Sequence, residues 1–276
     1  MDAADLSTLL GLPGSTAHVD VARTADGREV VLVADDLTLT CPWQQPDDWN
    51  GATVVLPWYD TESLFADLPP DPRRPFVRTK FSVATDLLAR GFGIVAIPWW
   101  AEELAISSPE RNLADRYGAP AAAALEQGWS TGLGRSMRDV LTVVETIDPD
   151  AGRLAILGHS LGGKLALFAA ALDPRLSACV THELGLGWDH SNWFDPWYFG
   201  EVRPDVDCDQ ILALVAPRPV LYGAGHGFDG DEGIAMARSV ATDDWQVDIL
   251  EHHNGHRPSP EALADAYTWL YDHTRG

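Results

Sequence analysis

A chain of 276 residues with 46% apolar side chains can bury one substantial core, and no composition break, internal repeat or low-complexity tract divides it. A single domain over residues 1–276 is therefore expected. Its 41 acidic residues against 19 basic ones give a net charge of −22, which opposes a role on nucleic acid or on an anionic membrane surface. Cys41, Cys179 and Cys208 are odd in number and lack Cys-x-x-Cys spacing, so they read as reduced thiols. The start Met1-Asp-Ala-Ala-Asp-Leu6 lacks the basic segment and apolar core of a secretory signal, and cytoplasmic residence is the default expectation.

In chain order, Ala25-Asp26-Gly27 signals a turn, and the apolar run 30–33 and the alternation Leu37, Leu39, Cys41 read as early strands. Residues 52–56 predict a strand. Residues 79–90 predict a helix through Phe81, Ala84 and Leu88 that stops at Gly91, and residues 93–97 predict the next strand. A helix over 136–147 places Met137, Val140, Leu141, Val144 and Ile147 on one face, and Asp148-Pro149 ends it. Residues 154–157, 177–181, 220–223 and 247–250 read as further strands, with an apolar, alanine-rich helix over 165–172. A final helix over 260–271 has Ser259 as its N-cap and Pro260 at its first position. Strands alternating with helices at this spacing imply an α/β fold with a mostly parallel sheet, helices on both faces, and ligands at the carboxyl ends of its strands.

The chemistry concentrates where strand 154–157 runs into Gly158-His159-Ser160-Leu161-Gly162-Gly163 and then into a helix. A Gly-x-Ser-x-Gly turn between strand and helix holds its serine on a sharp elbow as an exposed nucleophile, and flanking glycines avoid steric collision there. The bland alternative is a glycine-rich turn. A phosphate-binding loop fits worse, because Lys164 is followed by Leu165 where that motif needs Ser or Thr.

A serine hydroxyl needs a histidine base oriented by a carboxylate, and the chain order in such folds is serine, acid, histidine. His256 is the preferred base, because Asn254-Gly255 makes a turn after the last strand and the capped final helix follows. His252 and His253 would end that strand. A metal site from His252 and His256 would need helical spacing, which Asn254-Gly255 interrupts, and no metal or cofactor is expected. For the acid, Asp229 fits best by distance from strand 220–223, Asp231 lies close behind, and Glu183 follows the preceding strand. A solvated turn or helix cap is the bland reading of each. A calcium loop starting at Asp229 would put Val240 where a glutamate is required.

Two backbone amides should hold a tetrahedral oxyanion: that of Leu161, and one from Trp58 or Tyr59 after the strand 52–56, where the usual His-Gly opening is absent. Trp58, Trp99, Trp100, Trp188, Trp193 and Trp197 all follow strands on the side where the serine emerges. They are expected either to plug loops or to wall an aromatic cleft for acyl, aryl or sugar groups.

With these residues in view the chain resembles an α/β-hydrolase over nearly its whole length. Gly158-His-Ser160-Leu-Gly-Gly163, Ala216-Pro-Arg-Pro-Val220 and Asn254-Gly-His256 resemble the dienelactone-hydrolase-like and acetyl xylan esterase-like groups, although dienelactone hydrolases carry cysteine where Ser160 stands. Glu183 lies 23 residues after Ser160, a placement similar to that of the catalytic acid in glucuronoyl esterases. The resemblance implies cofactor-free hydrolysis of a carboxylic ester, often carbohydrate-linked, on a small-molecule substrate. By the same analogy the Trp-rich insert at about 184–211 is a lid or pocket wall. An amidase or aminopeptidase with the same triad, and an inactive binding domain on the same fold, are the competing readings.

Overall fold

Buried parallel strands announce themselves by apolar side chains at every position, and Ala52–Trp58, buried throughout, is such a strand. In the computed structural model, residues 1–13, 19–34, 37–73, 80–106, 108, 113–190, 204–227 and 230–275 are described. In chain order the elements are α1 (Ala3–Leu9), β1 (Asp20–Arg23), β2 (Glu29–Ala34), β3 (Leu37–Gln44), β4 (Ala52–Trp58), α2 (Val83–Leu88), β5 (Gly93–Pro98), α3 (Trp100–Leu104) and α4 (Leu113–Glu126). They continue with α5 (Gly132–Ile147), β6 (Arg153–His159), α6 (Leu161–Leu172), β7 (Leu176–His182), α7 (Cys208–Ala213), β8 (Val220–Gly225), α8 (Gly230–Ser239), β9 (Val247–His252) and α9 (Pro260–Thr274).

Among the described residues the strands form one sheet in the order β1-β2-β3-β5-β4-β6-β7-β8-β9. The first three are antiparallel, and β5 through β9 pair in parallel. Side-chain alternation splits the core in two. Leu154 and Ile156 of β6 join the layer containing α5 and α6, whereas Ala155 and Leu157 pack with α2 and α9 on the other face. Chain direction across the sheet reverses at β4, which lies between β5 and β6, so a crevice is expected at the carboxyl ends of β4 and β6.

Several elements differ from the sequence expectation. The helix expected over 79–90 occupies only Val83–Leu88, because Ser82 adopts a left-handed conformation at φ 59° and the amides of Phe81 and Ser82 both bond to the Ser63 carbonyl. Strand β1 is exposed at every position and so carries no alternation to read. Helix α4 contains Pro120 and an alanine run, which mask its helical period. At α9 the expected cap is present: the Ala262 amide donates to Ser259 Oγ at 3.1 Å. No helix among the described residues is long and apolar enough to cross a membrane.

Candidate active site

The site begins with two neighbouring strand ends. β6 and β7 run in parallel with His159 opposite His182, so Ser160 and Glu183 leave the sheet side by side. Both have left-handed backbones, at φ 56° and 51° respectively, where a side chain with a Cβ is strained. Ser160, at ψ −121°, turns the chain directly into α6, and its amide donates to the His182 carbonyl at 2.8 Å. The glycines around it are sterically required. A Cβ on Gly158 would sit 1.9 Å from the Gly162 carbonyl oxygen, and one on Gly162 would sit 2.2 Å from the Pro57 carbonyl oxygen. The second contact also shows that the start of α6 lies against the end of β4, which brings Trp58 and Tyr59 beside the elbow.

Four histidines surround this corner. Nε2 of His159 lies 2.7 Å from the His256 carbonyl oxygen, and burial lowers the His159 pKa to about 3, so the ring is neutral and donates. That bond ties the backbone of His256 to the residue preceding Ser160. The two rings have centroids 4.8 Å apart, and the Phe81 and Trp58 rings lie 4.9 and 5.9 Å from that of His159.

Glu183 is 1% exposed and faces two imidazoles. His252 Nε2 lies 3.1 Å from Oε1, and His256 Nδ1 lies 3.9 Å from Oε2. These imidazoles are not equivalent. The Asn254 amide donates to His252 Nδ1 at 3.3 Å, which leaves the proton of the neutral ring on Nε2. Burial holds the His252 pKa below its ordinary value, and its Nε2 has no hydrogen-bond partner among the described residues. His256 is 36% exposed and turns only Nδ1 toward the carboxylate, so Nε2 is directed away from it.

His182, Glu183 and His252 place donor atoms within 4.8 Å of one another, a donor set of the type that holds zinc. Ring geometry argues against that use. The His182 and His252 rings are stacked, with centroids 5.0 Å apart and planes at 16°, so an ion in the plane of one lone pair lies off the plane of the other. His182 is instead held against the backbone of β8, where a Cβ on Gly223 would come within 2.1 Å of the ring.

Of the other residues singled out by sequence, Leu161 opens α6 next to Ser160. Asp229, Trp193 and Trp197 lie outside the described residues, and of Asp231 only the backbone, in α8, is described. The expected aromatic wall is corrected at three positions. Trp99, Trp100 and Trp188 are 5%, 3% and 2% exposed and belong to the core. Trp99 and Trp100 both donate to Ser136 Oγ, at 3.0 and 2.8 Å, and Trp188 donates to the Val206 carbonyl. An indole N–H buried with its partner is an anchor for packing. His159, His182 and His252 were not anticipated as parts of the site. Their signal was present, since each is the last residue of a parallel strand. A cavity of about 970 Å³, lined by residues of the β1–β2 hairpin, the end of β3 and Asp150, lies at the opposite end of the sheet.

The solved structure of a promiscuous CE15 esterase from a marine bacterial metagenome superposes over 99% of this chain and 91% of its own, with a TM-score of 0.67 and 14% identity. The chain has the α/β-hydrolase fold. No family model matches the sequence. Curated relatives include a 4-O-methyl-glucuronoyl methylesterase of Wolfiporia cocos, 27% identical over 135 residues, and the putative hydrolase YtaP of Bacillus subtilis, 25% identical over 160. Those matches cover 39% and 52% of this α/β-hydrolase chain, and they span 33% and 49% of the relatives' own lengths.

Proposed function

We propose that this α/β-hydrolase is a serine esterase that cleaves a carboxylic ester, with Ser160 as nucleophile, His256 as general base and acid, and Glu183 as the orienting carboxylate. One observation carries the reading: Ser160 and Glu183 stand on adjacent strand ends in strained conformations, with His256 Nδ1 turned toward the carboxylate and its backbone tied to the elbow. Left-handed strain at two neighbouring non-glycine residues is tolerated where function requires the geometry.

In this reading the Ser160 hydroxyl passes its proton to His256 Nε2 as Oγ attacks the ester carbonyl. The oxyanion takes hydrogen bonds from the Leu161 amide, a donor left unpaired by the first turn of α6, and from an amide at Trp58 or Tyr59. The tetrahedral adduct collapses, the alcohol leaves with the His256 proton, and water attacks the acyl-serine by the same route in reverse. His252 accepts from the Asn254 amide at Nδ1 and sits with Nε2 3.1 Å from the carboxylate, so in this reading it helps to place Glu183 while His256 moves the proton. The 3.9 Å gap between His256 and Glu183 exceeds a hydrogen bond and is expected to close when substrate displaces water, as free-enzyme distances at such sites often do.

The names of the relatives, glucuronoyl methylesterase and carbohydrate esterase, favour an ester attached to a sugar. The decisive experiment combines labelling with turnover. The protein should react covalently with a fluorophosphonate at Ser160 and hydrolyse a small aryl ester. Ser160→Ala should lose both, and turnover surviving in that variant would refute the assignment.

A further inference from the structure

Most of the 41 acidic residues leave little of the surface positive, yet one cavity of about 450 Å³ gathers Lys80, Arg90 and Arg257 around a single acid, Asp86. It lies between the loop leading into α2 and the start of α9. Elsewhere arginines meet carboxylates, as in Arg23–Asp150, Arg175–Asp173 and Arg238–Glu251. Here, among the described residues, none of the three cations forms an ion pair. Lys80 Nζ donates to the carbonyls of Phe65, Ala66 and Leu68. Arg257 donates to the Lys80 carbonyl at 2.7 Å and lies over the Phe81 ring at 5.1 Å. Arg90 donates to the Asp86 carbonyl at 2.9 Å and lies over the Tyr267 ring at 4.8 Å. Neutral groups therefore position these charges without cancelling them.

Tyr267 supplies a second, independent sign. It lines the same cavity and is 1% exposed, and its hydroxyl has no hydrogen-bond partner among the described residues. A buried hydroxyl without a partner costs free energy, on the order of 1–3 kcal/mol, unless a ligand or water satisfies it. The cavity also adjoins the proposed chemistry. Arg257 directly follows His256, and Phe81, which forms part of its wall, packs 4.9 Å from the His159 ring.

We propose that this cavity binds a carboxylate carried by the substrate, so that the esters cleaved at Ser160 are those of acidic molecules. The inference rests on the esterase reading and adds to it the charge class of the substrate. Guanidinium groups held in place with spare N–H donors match a carboxylate in geometry and charge. A neutral sugar or an alkyl chain would leave both the charges and the Tyr267 hydroxyl unanswered.

The test is a ladder of aryl monoesters of dicarboxylic acids from succinate to sebacate, each compared with its methyl-capped neutral counterpart. At the chain length that reaches the cavity, kcat/KM for the free acid should exceed that for the capped ester by roughly tenfold or more, as expected for a charge-assisted hydrogen bond. The preference should weaken in 0.5 M NaCl, because salt screens exposed charges. In Arg257→Gln and Arg90→Gln the ratio of acid to capped ester should fall; any turnover of the capped ester reports that the variant is folded. A flat ladder in an active wild-type enzyme overturns the cavity assignment while leaving the esterase reading intact. The converse arm uses Ser160→Ala. Free suberate should raise its melting temperature, and should fail to do so when Arg257→Gln is added. If aryl esters are not hydrolysed at all, the esterase reading fails, and suberate binding still decides the cavity.

Discussion

Two glutamates, each 1% exposed, are buried near the carboxyl ends of the strands, and their partners differ in kind. Glu102 of α3 receives Arg116 Nη2 at 2.8 Å, Arg116 Nε at 3.1 Å and the Tyr117 hydroxyl at 2.5 Å. A forked guanidinium carries a fixed positive charge and has no proton to exchange near neutrality. Glu183 instead faces two imidazoles, one buried and one part-exposed. The first arrangement holds α3 to α4. In the proposed mechanism the second leaves the part-exposed imidazole to carry the proton of acyl transfer.

Glu183→Gln should separate the two most sharply. It is expected to lower kcat by about 10³–10⁴-fold, because the imidazole loses the partner that sets its tautomer. Its melting temperature should change little; a variant within tenfold of wild-type kcat would shift the acid role to Asp229 or Asp231. Glu102→Gln should show the opposite balance, costing about 3–5 kcal/mol of stability by removing the buried charge that Arg116 Nε and Nη2 face. Chemical denaturation reads that loss, and kcat per folded molecule should stay close to wild type. If the activity of folded Glu102→Gln falls as far as that of Glu183→Gln, the division between a holding and a working glutamate is wrong. His252→Gln should produce a smaller effect, a loss of about tenfold in kcat with little change in KM, since it acts through the placement of Glu183. The pH–rate profile should keep the same number of limbs, and loss of a limb would mark His252 as a proton carrier.

The smallest effect concerns acid. His159, His182 and His252 are all held below the ordinary histidine value of 6.5 by burial, and His159 to about 3. The unfolded chain therefore binds protons that the folded chain refuses, so their contribution to stability is complete above pH 6.5 and is lost as the pH falls from there toward 3. Melting temperatures of wild type and His159→Phe across pH 4–7 should converge at the acid end. Parallel curves would mean that His159 takes up its proton as readily in the folded chain as in the unfolded one.

The elbow at Ser160 was legible because its requirements are local. Gly158 and Gly162 are dictated by carbonyl oxygens within a turn of Ser160 and on the strand beside it, and an apolar strand and helix flank them in sequence. The final helix was equally local, with Ser259 and Pro260 marking its start. Glu183 was harder, because nothing near it in sequence reveals that β7 ends beside β6, or that His252 arrives opposite it from 69 residues further along. Distance from the preceding strand pointed first to Asp229. Between the two readings of the tryptophans the sequence could not choose, because position after a strand does not reveal whether Ser136, on another helix, offers a hydroxyl to hold two indoles inside.

Sequence by itself determined the alternation of strands and helices, the elbow serine and the neighbourhood of the histidine, since backbone sterics and apolar periodicity act over a few residues. Tertiary structure decided that Glu183 faces His252 and His256, which of the described tryptophans are core, and where cations without an ion pair collect among the described residues. Those outcomes depend on strand order and register, which bring together residues far apart along the polypeptide.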